Sequence, residues 1–312
     1  MGKMVPFLFI SLATVLVFSL FLVCSPNPFK VTPKQGLNSV QNLHALQETL
    51  PKTHSVEENC DLFTGHWVPE LRGSLYTNSS CTSIPDSKNC FKNGRKDKDF
   101  LNWRWKPEKC ELPRFDAKAF LEMVRGKKMA FVGDSVARNH IESLLCLLSP
   151  EETPMGTYKD SEDRFRKWYF PRHDFTLMKL WTKFLIEGEE RMINGTGELQ
   201  YWSGNSGGYC NKTSPLSEAE TNFGSFDWEM RNIQAEEIES ARQNGMKDGR
   251  KFGVVDVTRA MLMRPDGHPG SHWDNNWMKG YNDCVHWCMP GPVDYWNDFL
   301  MAVMRKESGL VS

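Results

Sequence analysis

The sequence has almost no excess of charge of either sign. Its 38 Lys and Arg residues balance 39 Asp and Glu residues, which leaves a formal net charge of −1. Electrostatic binding to nucleic acid or to an anionic membrane surface depends on a marked positive excess, so neither partner is expected. Internal repeats and low-complexity tracts are also absent, and with 40% hydrophobic residues the chain has the composition of a globular protein.

The cysteines lack the C-x-x-C pairs that are typical of zinc sites. An even number of them follows residue 59, which favours a disulfide framework in an oxidising compartment. Zinc is the alternative, because thiolates also bind metal, but only Cys284 and Cys288 are close together in the sequence. Eight cysteines allow about 105 pairings, so connectivity is not predicted, but Cys284 and Cys288 are expected to pair with distant partners. No metal ligand set and no cofactor is predicted. The eight are Cys60, Cys81, Cys90, Cys110, Cys146, Cys210, Cys284 and Cys288.

One uncharged and mostly apolar run, residues 5–23, begins near the N-terminus. About 20 apolar residues span a bilayer as a helix, whereas the apolar core of a cleaved signal peptide has roughly 7–15. Residues 24–28, Cys-Ser-Pro-Asn-Pro, form a poor cleavage site. We therefore predict a cytosolic tail and signal anchor over 1–24, with a cleaved signal peptide as the alternative. The protein would be a single-pass type II membrane protein with its remaining residues in the lumen.

The segments beyond the anchor have different compositions. Residues 25–59, rich in Pro, Asn, Gln and Lys, predict a stem. Residues 60–113 contain four cysteines and many turn formers, and are expected to wrap a larger domain through disulfides. Sequons at Asn78, Asn194 and Asn211 predict glycosylation in the secretory pathway. The eleven Trp residues suit sugar binding, although core packing explains most buried Trp.

Residues 114–312 have the pattern of an α/β domain. Short apolar runs that end at Gly or a polar residue predict strands, and apolar residues at helical spacing predict helices. The expected strands are 127–133, 175–186 and 252–258, and the expected helices are 135–148, 227–243 and 293–305.

Gly133-Asp134-Ser135 lies at the expected turn from the first strand to the first helix. A Ser at the carboxyl end of such a strand is exposed where open α/β sheets place their sites, and the helix N-terminus can stabilise an oxyanion. Arg138, one turn later, could add positive charge. The alternative is that Ser135 only caps the helix. Asp134 is interpreted as a turn or cap residue, and His140 as part of the helix surface or core.

A second constellation, Asp283-x-x-His286, lies near the C-terminus between Cys284 and Cys288. A serine hydroxyl becomes nucleophilic when a base takes its proton, and an Asp beside that His fixes its tautomer. Three residues of separation let the two side chains meet across one turn. Together with Ser135 they predict a catalytic triad; a purely structural pair is the alternative.

Five stretches together resemble the plant trichome birefringence-like family. They are CDLFTGHWVPE (60–70), FLNWRWKPEKCELPRFD (100–116), FVGDSVARNH (131–140), NSGGYCNKTSPLSE (205–218) and DCVHWCMPGPVDYWND (283–298). Members of this family are polysaccharide O-acetyltransferases with a catalytic fold related to SGNH/GDSL esterases.

The resemblance implies the fold, the activity and the site. The fold would be an SGNH-like parallel sheet with helices on both faces, preceded by the Cys-rich segment. Ser135 would be the nucleophile, His286 the base and Asp283 its orienter, with Arg138 and the Ser135 backbone forming the oxyanion site. The enzyme would work in the Golgi lumen on a hemicellulose such as xyloglucan, xylan or mannan. It would need an acetyl donor, for which no nucleotide- or CoA-binding motif is visible.

Two further observations qualify this expectation. Asp266-Gly267-His268 resembles a family motif, so Asp266 and His268 are candidates for substrate contact, or the segment is only a turn. The domain is also shorter than the family pattern near 197–204, so its sheet is expected to be incomplete. The rivals are a carbohydrate acetylesterase with the same triad, and an inactive isoform that only binds polysaccharide.

Overall fold

The computed structural model describes residues 60–182, 192–193, 196–197, 210, 212–224, 226–246, 251–274 and 282–308. The predicted anchor, the predicted stem and the sequons at Asn194 and Asn211 lie outside these residues. Within the described ranges, no helix has an apolar stretch long enough to cross a bilayer. Asn78 is described, and its side chain is exposed.

Two short antiparallel strands, β1 (Gly65–Pro69) and β2 (Trp103–Pro107), organise the Cys-rich segment. Trp67 and Trp105 lie opposite each other in this pair, and both are buried with their rings edge to face. At these two positions, core packing is therefore the correct explanation for the abundance of Trp.

Four disulfides join the eight cysteines that follow residue 59. Cys60 pairs with Cys110 inside the Cys-rich segment, whereas the other three bonds join distant parts of the chain. The prediction that Cys284 and Cys288 pair with distant partners is confirmed. Both ends of the loop that contains His286 are thus covalently fixed. The three long-range bonds are Cys81–Cys146, Cys90–Cys288 and Cys210–Cys284.

The α/β part contains a four-stranded sheet in the order β3–β6–β5–β4. β3 and β6 are parallel, and the other two pairs are antiparallel. The α/β class is confirmed, but the sheet is mixed rather than parallel. Its strands are β3 (Lys128–Gly133), β4 (Met155–Lys159), β5 (Phe165–Phe170) and β6 (Phe175–Trp181).

Short connections explain the antiparallel pairs. Only residues 160–164 join β4 to β5, and only residues 171–174 join β5 to β6. A parallel pair needs a crossover of about a dozen residues or more, so these strands can only fold back as hairpins. Sequence analysis missed β4 and β5 because neither has a run of aliphatic residues. All five residues of β4 are exposed, and β5 contains Arg166 and Lys167 among its aromatic residues.

Two helices belong to the same part of the chain: α1 (Ala117–Met123) and α2 (Ser135–Leu148), the latter with the predicted bounds. Phe131 of β3 packs edge to face on His140 of α2, which places α2 on that face of the sheet. The opposite face is only half-buried in the described part of the chain, and Leu180 is 37% exposed. The expected arrangement of the family fold, with helices on both faces of the sheet, is therefore not formed by the described residues.

The predicted strand at 252–258 is wrong. Residues 251–257 pair with no strand among the residues described, and Thr258 begins a helix. An extended segment becomes a strand only when a neighbouring strand supplies hydrogen-bond partners. The composition of this segment is typical of a buried strand, but Val254 within it remains 40% exposed.

The C-terminal half is mainly helical where it is described. The predicted helix at 227–243 is confirmed as part of α3, and the predicted helix at 293–305 is confirmed as α5 preceded by a turn of 3-10 helix at Pro292–Asp294. A two-residue pair, β7 (Met192–Ile193) and β8 (Thr196–Gly197), precedes them. The helices are α3 (Phe226–Met246), α4 (Thr258–Leu262) and α5 (Tyr295–Ser308).

A buried carboxyl group lies where α5 meets the start of the α/β part. Asp298 accepts the backbone N–H of Phe115 at 2.8 Å. Burial raises the pKa of Asp298 to about 8, although this hydrogen bond and the charge of Arg114 oppose the shift. The native state therefore holds a proton on Asp298 that the unfolded chain releases near its ordinary pKa of about 3.9.

The folded pKa of Asp298 exceeds the unfolded one, so this group favours the folded state at low pH and loses that contribution as pH rises to about 8. We expect Asp298→Asn, which keeps an acceptor for Phe115, to remove this dependence. Between about pH 5 and about pH 7, the free energy of unfolding of the wild type should fall relative to the variant by up to about 1.4 kcal/mol per pH unit. Urea unfolding across that range measures the difference. Parallel pH profiles for the two proteins would contradict it, and the exposed Asp86→Asn is the control.

Candidate active site

Ser135 is the first residue of α2, and only Asp134 separates it from the end of β3. The N-cap is Asp134, whose carboxylate accepts the N–H groups of Val136 at 2.8 Å and Ala137 at 3.4 Å. Asp134 is therefore the cap residue that the sequence predicts, and the hydroxyl of Ser135 is not used for capping. The N–H of Ser135 has no acceptor among the described residues, so it can still stabilise an anion.

Gly133 lets β3 and α2 approach each other closely. A Cβ atom at Gly133 would lie 2.7 Å from the Cβ of Ala137, which is closer than packed carbon atoms come. On the other side, the N–H of Thr182 donates to the carbonyl of Gly133 at 2.8 Å and continues the pairing with β6. The turn before Ser135 is thus fixed on both sides, and Ser135 itself is half-buried.

Asp283 and His286 meet as the sequence predicts. The Asp283 Oδ2 atom lies 2.8 Å from His286 Nδ1, and its Oδ1 atom accepts the backbone N–H groups of His286 and Val285, both at 3.0 Å. Because Nδ1 faces a carboxylate, it carries the proton, which leaves Nε2 as an acceptor. Nε2 is buried and has no partner in the described part of the chain.

The charge of Asp283 is retained despite burial. Burial alone would raise the pKa of its carboxyl group, but the hydrogen bond and charge of the His286 ring and the two backbone N–H groups outweigh it, so the pKa is lowered. An ionised Asp283 holds the imidazole in one tautomer and stabilises the imidazolium that forms when Nε2 takes a proton. The pair has the arrangement of a general base and its orienter.

A residue that sequence analysis missed brings this loop to α2. Asn139, four residues after Ser135, accepts the backbone N–H of Trp287 at 2.7 Å through its Oδ1 atom and is fully buried. Residues four apart lie on the same face of a helix, so the His286 loop docks on the face of α2 that begins at Ser135. The sequence signal for this contact was an Asn in a helix that packs against the core, because a buried amide needs a hydrogen-bond partner.

Arg138 lies one turn after Ser135 and is half-buried. Its Nη2 atom is 3.5 Å from the carbonyl oxygen of Asp163, a weak contact, and its Nε atom has no partner among the residues described. Burial raises the pKa of Glu142, one turn further along α2, against the charges of Lys88 and Arg138. A cation with unused donors therefore lies near the proposed nucleophile, as an oxyanion stabiliser requires.

Asp266 and His268, the candidates for substrate contact, are both buried. Asp266 is 1% exposed, and Arg264 binds both of its carboxylate oxygens at 2.8 and 3.0 Å. His268 is also buried, and its Nδ1 atom donates to the carbonyl oxygen of His286 at 2.7 Å. Both residues are therefore buried, and His268 contacts the backbone of the loop that contains His286; their contact with substrate stays a prediction.

His140 is half-buried and packs against the core, in agreement with its interpretation from the sequence. Its ring packs against Phe131 and Trp296, and its Nε2 atom lies 3.1 Å from the Oδ1 atom of Asn297. Burial lowers the pKa of His140 to about 4, although the hydrogen bond to Asn297 opposes the shift. His140 therefore remains neutral at ordinary pH and has a structural role.

Two family models match the chain. The PMR5 N-terminal domain matches residues 58–111, and PC-Esterase, the GDSL/SGNH-like acyl-esterase family found in Pmr5 and Cas1p, matches residues 112–201 and 197–303. The second model covers the β3–α2 turn and the Asp283–His286 loop. Both candidate halves of the site therefore belong to one acyl-esterase domain.

Curated relatives extend over nearly the whole chain. Xyloglucan O-acetyltransferase 4 of Populus trichocarpa is 46% identical, with 98% of this chain and 93% of that protein covered. Xyloglucan O-acetyltransferase 2 of Arabidopsis thaliana is 43% identical, with 98% and 94% covered. Protein trichome birefringence-like 20 of Arabidopsis thaliana is 33% identical, with 80% and 73% covered.

The same alignments show that this chain is internally shorter. The alignment with the Populus protein extends over 403 residues, whereas this chain has 312. The PC-Esterase model is matched in two parts that overlap at residues 197–201. A long stretch of the relatives therefore has no counterpart here, and the two parts join where the sequence pattern departs from the family.

Proposed function

The chain belongs to the trichome birefringence-like family of GDSL/SGNH-like acyl-esterases, and we propose on this basis that it transfers acetyl groups to a plant cell-wall hemicellulose. The relatives named as xyloglucan O-acetyltransferases make xyloglucan the acceptor we propose. The observation that carries the proposal is the Asp283–His286 pair on a loop that docks along the helix of Ser135. The buried Nε2 atom of His286 has no hydrogen-bond partner among the described residues, Ser135 included.

The proposed reaction is a double displacement. His286 Nε2 takes the hydroxyl proton of Ser135 as its Oγ atom attacks the acetyl carbonyl of the donor. The oxyanion is stabilised by Arg138 and the Ser135 N–H, and the imidazolium returns the proton to the leaving group as the acyl-enzyme forms. In the second half, His286 takes the proton of a sugar hydroxyl, the sugar oxygen attacks the acetyl-serine, and the proton returns to Ser135.

We propose that this reaction takes place in the Golgi lumen. Residues 1–24 would anchor the protein as a single-pass type II membrane protein, with 25–59 as a stem. The exposed side chain of Asn78 is a suitable acceptor for N-glycosylation. Treatment of the expressed protein with a glycosidase that removes N-linked glycans should increase its mobility on a denaturing gel, and protease should digest the luminal part only after the membrane is opened.

An acetyl-transfer assay tests the proposed activity. The full chain is incubated with para-nitrophenyl acetate as donor and a deacetylated xyloglucan oligosaccharide as acceptor, and the oligosaccharide is analysed by mass spectrometry. We expect acetylated oligosaccharide to accumulate with enzyme concentration. Release of acetate from acetylated xyloglucan without any transfer would instead identify an acetylesterase.

The shortened middle favours a second candidate, an isoform that binds xyloglucan without acetylating it. A missing loop can remove an oxyanion donor, which is commonly worth about 2.7–4 kcal/mol in the barrier. Saturable binding of the oligosaccharide, together with no detectable transfer by the wild-type chain, would support this candidate over the enzyme.

A further inference from the structure

One peptide group in the loop that contains His286 is held at both of its polar atoms. The carbonyl oxygen of His286 accepts a hydrogen bond from Nδ1 of His268 at 2.7 Å. The N–H of the next residue, Trp287, donates to Oδ1 of Asn139, also at 2.7 Å. Both groups belong to the same peptide unit, directly after the imidazole of the proposed base. We call this arrangement the His286 peptide clamp.

Both halves of the clamp are buried, so their hydrogen bonds are not easily replaced by water. Asn139 is 0% exposed and His268 is 6% exposed. Leaving a buried donor or acceptor unpaired carries the full penalty of its lost hydration. The loop therefore has a single favourable position relative to the two side chains, and displacement of the peptide breaks two bonds at once.

The first half of the clamp is attached to the nucleophile. Asn139 lies on α2 four residues after Ser135, so the two side chains share a face of one rigid helix. Any rotation of the His286 loop about α2 changes the contact with Asn139. The hydrogen bond to Trp287 thus links the position of the imidazole to the position of the hydroxyl that it must reach.

The second half of the clamp is itself held in place. The ring of His268 stacks on Trp287 with centroids 4.0 Å apart. Arg95 of the Cys-rich segment donates to the carbonyl oxygens of Asp266 at 2.7 Å and His268 at 3.2 Å. The turn carrying His268 is therefore fixed by the N-terminal segment as well as by the loop it supports.

The imidazole of His268 is neutral at ordinary pH and still donates from Nδ1 to the His286 carbonyl oxygen. Burial lowers the pKa of His268 to about 4, although the hydrogen bond to the His286 carbonyl and nearby carboxylates oppose the shift. The ring is neutral above that pH, and the carbonyl beside Nδ1 requires the proton on this atom.

We propose that Asn139 and His268 are positioning residues that hold the His286–Trp287 peptide and thereby set the approach of the His286 imidazole to Ser135. Neither residue touches the substrate, and both act through His286. The inference rests on the proposed acyl-transfer function, and it assigns to His268 a role that differs from the substrate contact predicted from the sequence.

The test uses matched substitutions in the full chain. His268→Leu removes the donor, whereas His268→Asn keeps an N–H close to the position of Nδ1. Likewise Asn139→Leu removes the acceptor, and Asn139→Asp keeps an oxygen facing Trp287. Each protein is assayed with para-nitrophenyl acetate, and the burst of para-nitrophenolate gives the amount of functional enzyme, so a loss of folded protein is separated from a loss of rate.

We expect the two Leu variants to lose about 10- to 100-fold in kcat per functional site, with KM within about twofold, because a displacement of about 1 Å at a reacting group has this effect. His268→Asn should recover most of the loss. The double Leu variant should lose less than the product of the single losses, because both bonds hold one peptide.

Three results would overturn the inference. The first is wild-type kcat in both Leu variants, and the second is an equal loss in His268→Leu and His268→Asn, which would indicate packing alone. The third is an effect confined to KM.

A wild-type chain without turnover would overturn the proposed function together with the clamp, whereas an active wild type with active Leu variants would overturn the clamp only. If His268→Leu does not accumulate, the comparison of Asn139→Leu with Asn139→Asp tests the clamp in the same way.

Discussion

Replacement of Ser135 by Ala is expected to abolish acetyl transfer, with kcat lower by roughly four orders of magnitude or more, because the acyl-enzyme cannot form without the hydroxyl. The substitution removes one half-buried oxygen atom at the start of α2, and the cap of this helix is provided by Asp134. Folding should therefore be unaffected. The assay is transfer from para-nitrophenyl acetate to deacetylated xyloglucan oligosaccharide.

Ser161→Ala is the matched control for this substitution. Ser161 is exposed in the connection between β4 and β5, so its loss should leave both rate and stability unchanged. Thermal unfolding of all three proteins verifies that they are equally folded. Transfer by Ser135→Ala at a rate near that of the wild type would exclude Ser135 as the nucleophile.

Replacement of Asp283 by Asn is expected to lower kcat by about 10⁴-fold with little change in KM. An amide in place of the carboxylate can donate its N–H to Nδ1 of His286, which moves the ring proton to Nε2. The ring then has no lone pair with which to take the proton of Ser135. Initial rates over a range of donor concentrations separate kcat from KM.

The matched control for Asp283→Asn is Asp86→Asn. Asp86 forms an exposed ion pair with Lys92 at 2.6 Å, and exposed pairs contribute about 0–1 kcal/mol. This control should retain full activity. A wild-type kcat in Asp283→Asn would contradict the role of Asp283, because the tautomer of His286 would then be fixed by another group.

The sequence predicts the parts of this molecule that are determined locally. The bounds of α2 follow from the Asp134 cap, from apolar residues at helical spacing and from Ser149-Pro150 after the helix. The contact between Asp283 and His286 follows from a separation of three residues. The proposed roles of nucleophile, base and orienter remain predictions, which rest on these local patterns and on the family resemblance.

Features that depend on distant contacts were not predictable. The clamp joins Asn139 to Trp287 across 148 positions of sequence, and no local pattern indicates that pairing. The pairing of Cys90 with Cys288 across 198 positions is a similar case. The segment 251–257 has the composition of a strand, but strand formation depends on a neighbour that the described residues do not provide.

The parts of the proposed site are joined by contacts that lie outside the shortened region. The β3–α2 turn, the His286 loop and the Cys-rich segment are joined by Cys90–Cys288 and by the contacts of Asn139 and Arg95. None of these contacts involves residues 197–204, where the two matched parts of the family model overlap. The proposed acid–base machinery is therefore supported by parts of the chain that are present.

The most direct measurement is rapid quenching of the reaction with para-nitrophenyl acetate, followed by peptide mass spectrometry. We expect the peptide containing Ser135 to carry one acetyl group, and this group to move to xyloglucan oligosaccharide when the acceptor is added. In His286→Ala the same peptide should remain unmodified. Acetylated oligosaccharide formed without any acetylation of Ser135 would contradict the account.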